Sequence, residues 1–231
     1  MGEPELEIES TEMDSELTPL MISAASIGAI HTLLGPDHYL PFVALAKARS
    51  WTTTRMAVVT ALCGIGHVLG SVVLGLIGVA AGTAVFHLET IESVRGDLAA
   101  WALIAFGLVY TAWGLRRAGR KHTHSHIGKS GSASEQVRRS ASVWTMFTIF
   151  VLGPCEPLIP LLIYPAANSS WYGVGMVVLV FGTTTIATMV VSATVLKLGI
   201  NHLPFGRLER YSHALAGAAI TACGISIHFG L

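Results

Sequence analysis

Six apolar runs divide the chain, at residues 17–46, 56–86, 99–115, 143–166, 171–196 and 214–231. Each is near or above the roughly 17 to 25 residues that a tilted helix needs to cross a hydrocarbon core. Two are interrupted, the first at Gly35-Pro36 and the fourth at Gly153-Pro154. Proline lacks a backbone donor and clashes with the preceding turn, so both runs predict a helix broken part-way. The pattern predicts an all-α membrane protein of six transmembrane helices.

Composition supports this, with 52% hydrophobic and 12% charged residues and a mean hydropathy of +0.61. A soluble domain would carry about twice that share of charge. Glu3, Glu5, Glu7, Glu9, Glu12, Asp14 and Glu16 hold half of all the acids ahead of the first run. Residues 1–16 therefore read as an acidic, disordered tail. With no basic n-region, no cleavable signal peptide is expected. Net charge is zero, which gives no reason to expect a nucleic-acid partner. The cysteines, Cys63, Cys155 and Cys223, lie in apolar runs without paired spacing and read as thiols.

Basic residues follow the odd-numbered runs: Lys47, Arg49 and Arg55; Arg116, Arg117, Arg120, Lys121, Lys129, Arg138 and Arg139; Lys197, Arg207 and Arg210. The connection after the second run carries Glu89, Glu92 and Asp97 against Arg95, and the one after the fourth is uncharged. Lys/Arg-rich loops stay cytoplasmic, so the expectation is a multi-pass protein of the cell (inner) membrane with both termini outside.

The two halves echo each other. Leu34-Gly35-Pro36 recurs 118 residues later as Leu152-Gly153-Pro154, Gly64 matches Gly182 at the same offset, and Gly107 and Gly224 fit with a one-residue slip. Residues 17–116 and 142–231 thus read as two inverted three-helix repeats, each with a broken first helix. Residues 117–141 form a His/basic loop between them. In such plans the substrate site lies between the broken helices.

The breaks carry the chemistry. His31, Asp37 and His38 at the first offer imidazole and carboxylate donors suited to divalent nickel, cobalt, zinc or iron. Asp37 could instead cap the following half-helix. His67 stands alone in an apolar run beside Gly64 and Gly66, either a further ligand or a hydrogen-bond partner of a neighbouring helix. Cys155 and Glu156 occupy the second break. Glu156 reads as a ligand, a proton carrier or a cap, and Thr183, Thr184 and Thr185 as an ion path or as hydroxyls bonded to their own helix. His122, His124 and His126 alternate in the central loop, either holding metal loosely or forming a solvated linker.

His31 to His38 together with Gly66-His67 resembles the nickel/cobalt transporter family. More broadly it resembles the superfamily joining that family with urease-accessory nickel permeases, sulfite-exporter-like proteins and thiol-disulfide electron carriers. The family pattern is a His, four residues, then Asp-His, with Gly-His in the next helix; here five residues separate His31 from Asp37. The resemblance implies transport of a divalent transition metal. Gly153-Pro154-Cys155-Glu156-Pro157 also resembles the Pro-Cys elements of the electron carriers, which use one cysteine in each half, whereas Asp37 stands at the position matching Cys155.

The leading expectation is a non-enzymatic transporter with metal ligands among His31, Asp37, His38, His67, Cys155 and Glu156. It works by alternating access, has no resident cofactor, and carries the metal ion as cargo. Its expected partners are the lipid bilayer, the ion and, as a further candidate, a second copy of the chain. The alternatives are a thiol-disulfide carrier of the inner membrane and a sulfite-like anion exporter, the latter disfavoured because no Arg or Lys falls within the six runs.

Overall fold

The computed structural model describes residues 3–80, 85–119, 133–153, 155, 157–167, 170–202 and 206–229. These fold as helices without a strand. They are α1 (Glu3–Leu34), α2 (Leu40–Ala48), α3 (Thr53–Ala80), α4 (Val85–Gly119), α5 (Ala133–Leu152), α6 (Leu158–Ala167), α7 (Trp171–Asn201) and α8 (Ser212–His228). Short 3-10 segments occupy Pro36–His38 and Gly206–Tyr211.

Both predicted breaks are present: α1 stops at Leu34 before Pro36, and α5 stops at Leu152. The half-helices that follow are deeply packed. In α2, Phe42, Val43, Leu45 and Ala46 are buried, and in α6 Leu158, Ile159, Leu161 and Leu162. Each anchors one apolar core. Phe42 and Leu45 pack with Met56, Leu103, Met146, Met189 and Ile220, whereas Leu158 and Leu162 pack with Ala24, Val68, Val177 and Phe181.

Four helical segments, Leu17–Leu34, Thr53–Gly78, Thr90–Gly119 and Trp171–Asn201, are long and apolar enough to cross a membrane. The fourth expected span is instead divided into short apolar pieces, Val143–Leu152 and Leu158–Ala167, and the sixth is the 17-residue α8. Many large apolar side chains point outward, Leu34, Val109 and Trp171 among them, as a lipid-facing surface requires.

Close packing of α4 on α8 rests on glycines seven residues apart in each helix, Gly107 and Gly114 on Gly217 and Gly224. A Cβ at Gly107 would strike Thr221 and the Gly217 carbonyl, one at Gly114 would strike Ala214, and one at Gly224 would strike Ile104 and the Ala100 carbonyl. Rising numbers on α4 meet falling numbers on α8, so the two run antiparallel. Small residues of this kind let membrane helices approach backbone to backbone.

Three expectations change. The acidic stretch expected to be disordered is helical from Glu3 as the start of α1; Glu, Leu and Met are good helix formers, and acids favour the N-terminal end. The second span ends at Ala80, and α4 starts at Val85 rather than at 99, drawing Glu92 and Arg95 into a candidate span. Lys197, expected in a loop, lies buried within α7, its Nζ donating to the Trp51 carbonyl at 2.7 Å and to Thr53 Oγ1 at 3.2 Å. Arg95 and Lys197 therefore sit well inside candidate spans, and each is held by partners. His122, His124 and His126 lie outside the described residues.

Gly217→Ala is expected to lower stability in detergent by about 1–3 kcal/mol through overpacking against Thr111. Gly175→Ala, where a Cβ meets nothing within 4 Å, should instead raise it by about 0.5–1 kcal/mol. Chemical denaturation of the two purified variants checks both signs.

Candidate metal centre

The end of α1 and the 3-10 turn after it place two imidazoles side by side. The last helical bond runs from the Gly35 amide to the His31 carbonyl at 3.0 Å, and Pro36 opens the tighter turn that carries Asp37 and His38. Gly35 has an ordinary backbone conformation, φ −89° and ψ 94°. Its role is space, since a Cβ there would lie 2.6 Å from His38 Nδ1 and 2.9 Å from Asp37 Oδ1.

His67 arrives from α3, on the face it shares with buried Cys63 and Ser71, while Leu62, Ile65 and Leu69 face outward. Gly66 lets α5 come close, for a Cβ would sit 2.7 Å from Val151 Cγ2 and 3.1 Å from Phe147. That approach brings the Phe150 carbonyl within 3.2 Å of His67 Nδ1. This carbonyl lies in the last turn of the broken helix α5, where the Gly153 amide also donates to it at 3.1 Å.

The three rings converge. His31 and His38 meet edge to face with centroids 4.8 Å apart, and His38 and His67 likewise at 5.3 Å. One ligating atom from each of the three lies within 4.8 Å of the others. The Nε2 atoms of all three are buried with no hydrogen-bond partner in the protein. Each buried orphan of this kind costs about 1–3 kcal/mol. They line a cavity of about 370 Å³ together with Asp37, Leu103, Phe150 and Pro157.

Hydrogen bonding sets the tautomers. His38 Nδ1 faces the Gly35 carbonyl at 3.2 Å and Asp37 Oδ1 at 3.3 Å, while His67 Nδ1 faces only a carbonyl. Acceptors on Nδ1 require a proton there, which leaves the Nε2 lone pair available to a metal ion. Asp37 thus neither caps α2, whose N-cap has no side-chain hydrogen bond, nor stands in the ligating trio; it orients His38.

Of the sequence-derived ligands, His31, His38 and His67 come together. Cys155 is fully buried in the other apolar core, and Glu156 lies outside the described residues. Thr183 bonds back to the Leu179 carbonyl at 2.6 Å, and the buried Thr185 hydroxyl would lie 3.1 Å from a Cβ at Gly28.

The second break holds residues that the apolar-run pattern missed. Glu92 is fully buried and pairs through Oε1 with Arg95 at 2.5 Å. Arg95 also donates to the Val151 carbonyl at 2.9 Å, and the Cys155 amide donates to Ser71 Oγ at 3.2 Å and to Glu92 Oε2 at 3.3 Å. The available signal was the opposite charges three residues apart, next to each other on one helix face.

A family model for the cytochrome c biogenesis protein transmembrane region matches residues 40–226. The chain belongs to this family. No curated protein and no solved structure matches it. The cytochrome c biogenesis transmembrane family falls within the superfamily containing thiol-disulfide carriers, and the match carries no nickel or cobalt specificity. It begins at Leu40, so it takes in His67, Cys155 and most of the helical scaffold but not His31, Asp37 or His38. The chain is a multi-pass membrane protein on both the family match and its apolar helices.

Replacing Asp37 with Asn keeps its size but removes the charge that holds the His38 Nδ1 proton. The affinity of the purified protein for Co2+, measured by titration in detergent, is expected to fall about 10–100-fold.

Proposed function

We propose that this chain binds a divalent transition-metal cation, of the nickel or cobalt kind, between His31, His38 and His67 and moves it across the membrane. The observation that carries this reading is the convergence of three buried imidazoles whose Nε2 atoms have no partner in the protein. A hydrogen-bonding role accounts for Nδ1 of His38 and His67 but not for the three unpartnered Nε2 atoms, and an apolar packing role would not select histidine three times. Imidazole nitrogen is a good donor for nickel, cobalt, zinc and iron. Three ligands without a charged carboxylate among them bind an ion and leave coordination positions open, as an ion in transit requires. The cation is cargo, and movement of one three-helix half against the other, the halves read as inverted repeats, would expose the site alternately to the two sides.

The family membership and Cys155 favour a second reading, a thiol-disulfide electron carrier. All three cysteines are buried thiols, and Cys155 is fully enclosed. Thiol exchange needs access to a partner's sulfur, so this reading requires the second break to open. Arg95 and Lys197 give the anion-export reading basic groups in candidate spans. Both are engaged with protein acceptors, and neither lines the cavity.

Purified protein in liposomes separates these readings. Uptake of Ni2+ or Co2+ is expected for the unaltered chain, reduced at least tenfold in His38→Ala and His67→Ala and retained in Cys155→Ser. Loss of dithiol-driven electron transfer in Cys155→Ser, with metal movement absent throughout, would favour the carrier instead.

A further inference from the structure

The pair Glu92 and Arg95 has no place in the cation site, yet it touches both sides of the break between α5 and α6. The guanidinium donates to the Val151 carbonyl at 2.9 Å and reaches the Gly153 carbonyl at 3.5 Å, at the C-terminal end of α5. The carboxylate accepts from the Cys155 amide at 3.3 Å, on the approach to α6. Positive charge therefore meets carbonyls at a helix C-terminus, and negative charge meets an amide ahead of a helix N-terminus, each matched to its helix end. Gly70 makes room for this, since a Cβ there would lie 2.7 Å from the Val151 carbonyl and 2.9 Å from the guanidinium.

Val151 is the residue after Phe150, whose carbonyl receives His67 Nδ1. Both carbonyls belong to the last turn of α5, so the guanidinium that grips one fixes the place of the other. We infer that Glu92 and Arg95 are positioning residues for the cation site: by holding the cut end of α5 they keep the Phe150 carbonyl on His67 Nδ1, which directs the His67 Nε2 lone pair at His31 and His38. This rests on the metal reading for its purpose, but the tautomer of His67 can be measured without metal. The pair reaches His67 through the end of α5, where Arg95 holds the Val151 carbonyl next to that of Phe150.

The test uses the full chain in detergent. Replacing both members, as in Glu92→Leu/Arg95→Met, removes the buried charges together, which buried pairs often tolerate without loss of folding. In the unaltered, metal-free protein, nitrogen NMR of labelled histidine is expected to show His67 protonated at Nδ1. In the double variant that single tautomer should give way to a mixture, and Co2+ affinity should fall about 10–100-fold. Arg95→Lys keeps a cation for Glu92 but lacks the fork that serves carboxylate and carbonyl together, so it should show the same tautomer change in milder form. It supplies the answer should the double variant not fold. An unchanged His67 tautomer in a folded variant overturns the inference. Absence of Co2+ binding by the unaltered protein overturns the proposed function instead, and the tautomer result still decides whether the pair positions His67.

Discussion

Breaking a helix inside a membrane strands backbone donors and acceptors where water cannot reach them, and the rest of this fold answers that constraint. At the first break the chain answers locally: the Gly35 amide returns to the His31 carbonyl, the His38 amide to the Gly35 carbonyl, and the Tyr39 hydroxyl to the Leu33 carbonyl. At the second the Gly153 amide returns to the Ile149 and Phe150 carbonyls, and other helices supply the rest. His67 of α3 takes the Phe150 carbonyl, Arg95 of α4 takes that of Val151, and Ser71 and Glu92 take the Cys155 amide. Without such partners each stranded group costs several kcal/mol in lipid.

The consequence is that one histidine serves two ends. His67 satisfies a helix terminus with Nδ1 and faces the cavity with Nε2, so the integrity of the second break and the geometry of the histidine trio are a single arrangement. The ion pair behind it is held on the same terms. Losing one member of a buried pair leaves an uncompensated charge worth roughly 3–5 kcal/mol, whereas losing both costs far less. The antiparallel glycine contact of α4 with α8 supports this frame, because α4 carries the pair and also lines the cavity through Ala99 and Leu103.

Much of this was legible in the chain. Apolar run lengths located the long helices, and Gly-Pro located both breaks, because proline's missing donor and fixed φ act within a single turn wherever it sits. The histidines were conspicuous for the same reason that made them functional candidates, the expense of a polar ring among apolar neighbours. Less legible were the ends of elements. A count of apolar residues placed Glu92, Arg95 and Lys197 in loops, since it cannot register that a charge is neutralised by a residue one turn away or by a distant carbonyl.

The sequence by itself determined the membrane class, the broken helices and a set of polar residues at membrane depth, because hydropathy and backbone sterics are properties of neighbouring residues. Only the tertiary structure decided which of those residues meet. It selected His31, His38 and His67 as a trio, moved Asp37 to an orienting contact with His38, and set Cys155 in a separate core. The reason is physical: a ligand site is fixed by lone-pair directions. These depend on which ring nitrogen holds the proton, and for His67 that is set by a carbonyl 83 residues away.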